Sequence, residues 1–311
     1  MPYIKKANDK SNNQVDHFKQ QNDKIAKKGG CVLSIQHLLK DASAQLKGIS
    51  DSPLLDAELL LAYCLGKSQT HLYTWPEKEV NESQINCFKA LINKRLDDYP
   101  VAYLVGMISF WTLDFIVTPD VLIPRPETEL LVETALEIIK DIDHPQILDL
   151  GTGSGAIALA LASERPDAEI TATDYSKASL AIAAQNAINN NLEKQLTFIK
   201  SDWFNDIKPN QFDLIISNPP YIDATDPHLL KTIRHEPQHA LVASKKGFQD
   251  IEIIIENSPC YLKKNSWLIL EHGYTQGHQT LELFNQHGSF TNAHTKTDLA
   301  NNPRLSCAKI I

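Results

Sequence analysis

The chain is short of the residues that build stapled or membrane-spanning folds. Its 311 residues include five cysteines (Cys31, Cys64, Cys87, Cys260 and Cys307), an odd number with no Cys-x-x-Cys pair. That pattern fits neither a disulfide framework nor a zinc ribbon and points to a reducing cytosol. No stretch free of Asp, Glu, Lys and Arg exceeds 15 residues, and the one from Tyr99 to Leu113 is broken by Pro, Ser and Thr. Such a stretch is too short and too polar to span a bilayer. The opening Met-Pro-Tyr-Ile-Lys-Lys runs into polar residues, not an apolar core, which argues against a cleaved secretory signal and for a cytoplasmic protein. An excess of positive charge is also missing. The net charge is −8, and residues 1–30 alone carry +4, so residues 31–311 carry −12. Proteins that grip duplex phosphates usually show the opposite sign, because phosphate neutralisation supplies most non-specific affinity. Direct binding to nucleic acid is therefore not expected, nor is a membrane partner.

What is present is enough apolar material for two compact units: 42% of the residues are hydrophobic, and the length is about twice the ~150-residue prior for a domain. Residues 1–30 are rich in Lys, Asn, Gln and Asp and end in Gly29-Gly30. They lack the apolar area to offset ordering entropy and read as a disordered polar tail. Residues 31–98 read as a small helical domain. Ile35, Leu38, Leu39, Ala42 and Leu46 recur on one helical face. Ser52-Pro53 opens a second helix with Leu55, Leu59, Leu60 and Tyr63 on its apolar face and Gly66 at its end. Asn81 with Gln84 caps a third, striped by Ile85, Phe88, Ile92 and Leu96. Residues 99–126 carry short β-rich runs, Phe110-Trp111, Phe115 to Val117 and Val121 to Ile123, and read as a β-hairpin linker. Residues 127–311 alternate strands and helices from Gln146 onward, the pattern of an α/β domain with a parallel sheet covered on both faces.

Only 12 glycines are available, yet three lie in Gly151-Thr152-Gly153-Ser154-Gly155, between the apolar strand ending at Leu150 and a helix opening at Ala156. Glycines at a strand-to-helix turn let the backbone approach a ligand and aim helix N-terminal amides at it. Asp174, ending the next strand, suits a ribose diol, whether of NAD or of an adenosyl cofactor. A second segment is more specific. The buried-type strand Phe212 to Ser217 runs into Asn218-Pro219-Pro220-Tyr221. Two prolines stiffen the backbone and remove two donors, leaving the Pro219 carbonyl and the Asn218 amide as paired acceptors beside an aromatic plane. The group they suit is a planar NH2 whose lone pair is turned toward an electrophile. Delocalised nitrogens are weak nucleophiles, so orientation is the help they need, and the chemistry expected is methyl transfer without metal. His235-Glu236-Pro237-Gln238-His239 matches a zinc-protease pattern in letters only, because Pro237 interrupts the helix that pattern requires. Cys260 and Cys307 read as small core residues.

The segments Val121 to Glu129 (Val-Leu-Ile-Pro-Arg-Pro-Glu-Thr-Glu), Asp149 to Leu159, Ser201-Asp202-Trp203-Phe204 and Ser217 to Tyr221 together resemble the bacterial release-factor glutamine methyltransferases (PrmC/HemK type). The resemblance covers roughly residues 31–311, including Leu55 to Leu60 and Leu270-Glu271-His272-Gly273. It implies a seven-stranded, Rossmann-like S-adenosylmethionine-dependent methyltransferase domain behind an N-terminal helical bundle. The implied substrate is the glutamine of the Gly-Gly-Gln loop of peptide chain release factors, methylated on its side-chain amide, with S-adenosylhomocysteine as product. The implied roles follow position by position. Gly151, Thr152, Gly153, Ser154 and Gly155 cradle the methionine end of the cofactor, Asp174 holds its ribose, and Trp203 after Asp202 lines the adenine. Asn218 touches cofactor and substrate, while Pro219, Pro220 and Tyr221 complete the glutamine pocket. Phe110 and the Pro124 to Glu127 segment close over the site, and the helical domain recognises the partner. Asn301 stands where the family often has glycine, a position an asparagine tolerates. Alternatives are a ribosomal-protein glutamine methyltransferase, an adenine amino-group methyltransferase on DNA or RNA, which the acidic charge disfavours, and an NAD-dependent oxidoreductase or a silent binding module.

Overall fold

The computed structural model describes residues 33–209, 212–230 and 233–311; the polar tail of residues 1–30 lies outside them. The chain divides into two units, with the boundary between Asp97 and Asp98.

In the first unit, α1 (Ile35–Leu46) buries Ile35, Leu38, Leu39, Ala42 and Leu46, the stripe its spacing predicts. The second helix, α2 (Pro53–Leu65), ends at a left-handed Gly66, but its buried face differs from the expected one. Leu55 and Tyr63 are exposed, and Asp56, Ala57, Glu58, Leu60, Leu61 and Ala62 are buried. The run is apolar nearly all round, so periodicity does not choose the inward face. Polar partners do. Asp56 accepts a 2.7 Å hydrogen bond from the Arg95 guanidinium, and Glu58 accepts from the Tyr73 hydroxyl at 2.5 Å and the Gln69 amide at 3.3 Å. A short α3 (Gln69–Thr74), which the sequence pattern does not announce, supplies two of those donors. In α4 (Glu82–Leu96) the Asn81 side chain accepts from the Gln84 amide at 2.9 Å, the cap expected there.

The second unit begins with α5 (Val101–Val105) and the antiparallel hairpin of β1 (Met107–Phe110) and β2 (Leu113–Ile116). This hairpin is not a free linker. Phe110 and Phe115 are buried in the core of the α/β unit, ring centroids 6.1 Å apart and edge-on. Val121 to Ile123, read as a strand, is irregular in structure. After α6 (Glu129–Ile139), the elements β3 (Gln146–Leu150), α7 (Ala156–Glu164), β4 (Glu169–Asp174), α8 (Lys177–Asn189), β5 (Leu196–Lys200) and β6 (Phe212–Ser217) build the expected alternation. A small parallel pair, β7 (Ile222–Asp223) and β8 (Val242–Ala243), is followed by α9 (Gln249–Asn257), β9 (Leu262–Glu271), α10 (Gly277–His287), β10 (Phe290–Thr297) and β11 (Pro303–Ile310).

The seven strands are ordered β10-β11-β9-β6-β3-β4-β5. Pairings among β9, β6, β3, β4 and β5 are parallel, and β11 runs antiparallel to both neighbours. Burial is nearly complete along β3 and β6, as in a sheet covered on both faces. Strand order reverses between β3 and β6, which opens a crevice at their carboxyl ends where sheets of this kind bind ligands. The Asp298 to Arg304 turn places Asn301 at φ 62°, the left-handed conformation anticipated for it. Cys307 is buried, but Cys260 is exposed at the end of a single 3-10 turn, so only one of the two is a core residue.

Candidate active site at the switch point

A cavity of about 310 Å³ lies at this crevice, within the ~300–1,000 Å³ range of small-molecule sites. Its walls come from the Gly151 turn, the end of β4, the Ser201-Asp202-Trp203 segment after β5, the corner after β6 and the Asp120 to Leu122 loop.

The turn after β3 uses positive φ at all three glycines: 72° at Gly151, 56° at Gly153 and 86° at Gly155. Their reasons differ. A Cβ on Gly155 would come within 2.8 Å of Leu159 Cδ1 and 3.2 Å of the Ala183 Cβ, so this glycine lets α7 pack on α8. A Cβ on Gly153 would meet nothing within 4 Å, because that residue faces the cavity. Of the five turn residues, Gly151 and Gly153 line the cavity, while Thr152, Ser154 and Gly155 support it from behind. The Thr152 amide donates to the Thr173 carbonyl at 2.8 Å and its hydroxyl to Asp149 at 2.6 Å. Asp149 is fully buried, and desolvation pushes its pKa up to about 7 despite the Thr152 hydroxyl. The Ser154 carbonyl accepts from Asn186 at 2.9 Å.

Asp174 Oδ2 accepts the Gly153 amide at 2.9 Å and Oδ1 the Ser176 amide at 2.8 Å. The carboxylate thus fixes the glycine turn while it lines the cavity, and burial raises its pKa against those two bonds. Trp203, at φ 49°, places its ring against Gly151 and beside Asp202 and Asp250. Burial raises the Asp250 pKa, and the Trp203 indole opposes that rise. Among the described residues, four aspartates, Asp120, Asp174, Asp202 and Asp250, therefore line the cavity with one histidine, His239, and no lysine or arginine.

At the corner after β6, Asn218 and Pro220 line the cavity, and Pro219 is buried between them. The Asn218 Nδ2 donates to the Thr128 hydroxyl at 3.3 Å. Tyr221 turns its hydroxyl inward to Glu271 Oε1 at 3.2 Å, and its carbonyl accepts from the Gln276 amide at 3.0 Å. Burial, with Glu271 adding to it, raises the Tyr221 pKa, so its phenol stays protonated.

Other expected site residues fall elsewhere. Phe110 is 3% exposed in the core and does not line the cavity, because hairpin packing uses its ring. In the Pro124 to Glu127 segment, Arg125 pairs with the buried Glu236, and Pro126–Thr128 form a 3-10 turn. The cavity wall is made instead by Asp120, Val121 and Leu122, just upstream. The His235 to His239 segment is dispersed: His235 packs against Tyr99 at 4.8 Å between centroids, Glu236 holds Arg125, and His239 lines the cavity. Tyr175, Ser179 and Ala240 also line it and carry no sequence signal of their own.

An open sheet of this order, with a glycine-rich turn and an Asn-Pro-Pro-Tyr corner flanking its switch point, defines a Rossmann-like methyltransferase. Comparison with known proteins narrows the class. Residues 37–106 match the PrmC N-terminal domain and residues 126–265 the methyltransferase small domain. A release factor glutamine methyltransferase of Aliivibrio fischeri is 45% identical over 278 residues, 88% of this chain and 96% of that relative. One of Escherichia coli K12 is 42% identical over 278 residues, 89% of this chain and 99% of that relative. Among solved structures, the catalytic domain of hMettl16 in complex with a MAT2A 3′UTR hairpin superposes with a TM-score of 0.52 at 17% identity, covering 64% of this chain and 76% of that one, a likeness of fold. The chain belongs to the release factor glutamine methyltransferase family.

Proposed function

We propose that this protein transfers a methyl group from S-adenosylmethionine to the side-chain amide nitrogen of the glutamine in the Gly-Gly-Gln loop of peptide chain release factors. The observation that carries the cofactor is the acidic cavity lining. S-adenosylmethionine bears a sulfonium, an ammonium and one carboxylate, a net positive charge that Asp120, Asp174, Asp202 and Asp250 favour. A dinucleotide would bring a pyrophosphate against the same four aspartates, and no lysine or arginine among the described lining residues offsets them. Gly151 and Gly153 let the backbone approach the ligand, Asp174 accepts from a ribose hydroxyl, and Trp203 offers an aromatic face to the adenine.

When bound, the cofactor supplies an electrophilic methyl on sulfur. The chain's own work is orientation. Asn218 Oδ1 and the Pro219 carbonyl accept the two amide hydrogens of the substrate, which directs the nitrogen lone pair along the line of attack. The two prolines hold that geometry without a backbone donor to compete for it. Formation of the C–N bond would break the methyl–sulfur bond, whose electron pair would stay on sulfur as a neutral thioether, and the methylated amide nitrogen would lose one of its hydrogens as a proton to water. Selection of the protein substrate falls to the helical unit.

Among the described residues no helix is long and apolar enough to cross a membrane. The decisive measurement is mass spectrometry of the tryptic Gly-Gly-Gln peptide after incubation of release factor, enzyme and S-adenosylmethionine. A gain of one methyl on that glutamine is expected, with none on DNA or ribosomal protein in parallel reactions. Asn218→Ala should lower the rate ~10²-fold or more, as the loss of one aligned group does at comparable sites. A variant that methylates at the normal rate would refute the orientation mechanism.

A further inference from the structure

The corner that faces the substrate is backed by a carboxylate that the methyl-transfer scheme does not use. Glu271 ends β9 and is 2% exposed. The β6–β9 register pairs Ser217 with Leu270, which sets Glu271 beside Asn218 at the same end of the sheet. Its Oε1 accepts from the Tyr221 hydroxyl at 3.2 Å. Its Oε2 is buried without an aligned partner, although the Thr128 hydroxyl lies beside the carboxyl and favours its charged form. Thr128, 4% exposed, is also the group that accepts the Asn218 Nδ2 proton.

Counting hydrogens gives this arrangement a direction. A threonine hydroxyl has one hydrogen to donate. If Thr128 accepts from Asn218 Nδ2, its own hydrogen needs another acceptor, and the carboxylate beside it is free to serve. Asn218 then presents Oδ1, an acceptor, to the substrate amide. Were the hydroxyl to donate to Asn218 instead, the amide would be turned round, and its NH2 would face the substrate NH2, donor against donor.

We propose that Glu271, acting through Thr128 and Tyr221, is a positioning residue that keeps the Asn218 carbonyl oxygen and the Tyr221 ring in the orientation methyl transfer requires. This inference rests on the reading of Asn218 as the acceptor of the substrate amide. The positioning needs the carboxylate form, and burial pushes the Glu271 pKa up to about 7. Thr128, Tyr221 and Arg304 on β11 oppose that rise, and Glu127 on the turn before α6 adds to it. The adjacent His272 bonds Ser306 at 2.9 Å and burial lowers its pKa, so it contributes no charge. The orientation is therefore lost as pH falls through about 7.

Glu271→Gln tests this with little change of shape: with its oxygen kept on the Tyr221 hydroxyl, the amide NH2 faces Thr128 and donates where the carboxylate would accept. In asparagine-labelled protein bound to S-adenosylhomocysteine, the Asn218 side-chain NH2 signal, identified by its loss in Asn218→Ala, should move with pH with a midpoint near 7 and stand still in Glu271→Gln. In the methylation assay Glu271→Gln should lower kcat ~10–100-fold, the usual effect of removing an orienting partner, with S-adenosylhomocysteine affinity unchanged. Thr128→Val should match it, Thr128→Ser should restore the rate, and the Thr128→Val/Glu271→Gln double variant should be no slower than either alone. The inference is overturned if the Asn218 signal ignores pH in the wild type, if Thr128→Val keeps full rate, or if cofactor affinity falls in step with kcat. Should Glu271→Gln not fold, the Thr128 pair and the wild-type titration decide. A wild-type enzyme inactive on release factor would sink the functional reading, and the Asn218 titration would still judge this one.

Discussion

Asn186 on α8 holds both backbone groups of Ile116 on β2, accepting its amide at Oδ1 at 2.7 Å and donating from Nδ2 to its carbonyl at 3.1 Å. The same Nδ2 donates to the Ser154 carbonyl at 2.9 Å, and the side chain is fully buried. One amide thus joins the hairpin, a sheet-covering helix and the glycine-rich turn. Asn186→Ala strands three backbone groups, each costing ~1–3 kcal/mol when buried without a partner. Urea unfolding should show a loss of ~3 kcal/mol or more, with weaker S-adenosylhomocysteine binding because the turn is loosened. Asn186→Asp should be at least as costly, since it keeps the acceptor but sets a buried carboxylate oxygen against the Ile116 and Ser154 carbonyls. Equal stability in all three proteins would show that the clasp contributes nothing.

Gly247 makes a comparable demand by having no side chain. At φ 87°, an added Cβ would sit 2.1 Å from the Tyr221 carbonyl oxygen and 2.7 Å from the Gln276 amide that bonds it. Gly247→Ala must displace the Asn-Pro-Pro-Tyr corner or its support, at ~1–3 kcal/mol for overpacking and about 1–2 kcal/mol for the left-handed backbone. The expected result is a lower Tm and a fall in kcat larger than the fall in cofactor affinity. Gln276→Ala, which removes the bond without the clash, should be milder on both counts. An alanine variant with normal kcat would show that the corner tolerates movement.

These two contacts mark what the sequence makes legible. The glycine turn and the Asn-Pro-Pro-Tyr corner are contiguous, and each carries its own backbone chemistry, so both stand out and both line the cavity in part. Their supports do not. Thr128 is 90 residues from Asn218 and Glu271 is 50 from Tyr221, and only the β6–β9 pairing makes neighbours of the latter two elements. The stripe of α1 is readable because it is single. The buried face of α2 is not, because an inward Asp56 and Glu58 depend on Arg95 and Tyr73 from other helices. Phe110 fails for a similar reason: a buried aromatic and a pocket aromatic look alike until the hairpin's packing is known.

Stability should depend on pH through Asp149. Its folded-state pKa of about 7 lies above its ordinary value of 3.8, so the native state holds a proton the unfolded chain releases. The sign follows from linkage: the native protein gains relative to the unfolded chain at low pH, and that gain is lost as pH rises from about 4 to about 7. Asp149→Asn, which cannot titrate, should flatten the difference in unfolding free energy between pH 5 and pH 7 relative to wild type. Denaturant titrations of both proteins across that interval measure it. A variant whose pH slope parallels the wild type would place the proton elsewhere.

In the helical unit, the Sγ atoms of Cys64 on α2 and Cys87 on α4 approach to 2.7 Å. Both are free thiols, and burial, with the neighbouring Cys87 adding to it, pushes the Cys64 pKa up, so the reactive thiolate is scarce at neutral pH. Proximity favours a bond that this protonation state slows. With peroxide as oxidant, the two thiols give up two hydrogens to form one S–S bond, and peroxide is reduced to water. Peptide mapping after treatment at pH 7 and pH 9 should find a Cys64–Cys87 linked peptide that forms faster at the higher pH. Exposed Cys260 should be blocked by alkylating reagents much sooner than either. Rapid alkylation of Cys64 and Cys87 at pH 7, with no linked peptide under oxidant, would show that the two helices separate too readily in solution to hold the sulfurs together.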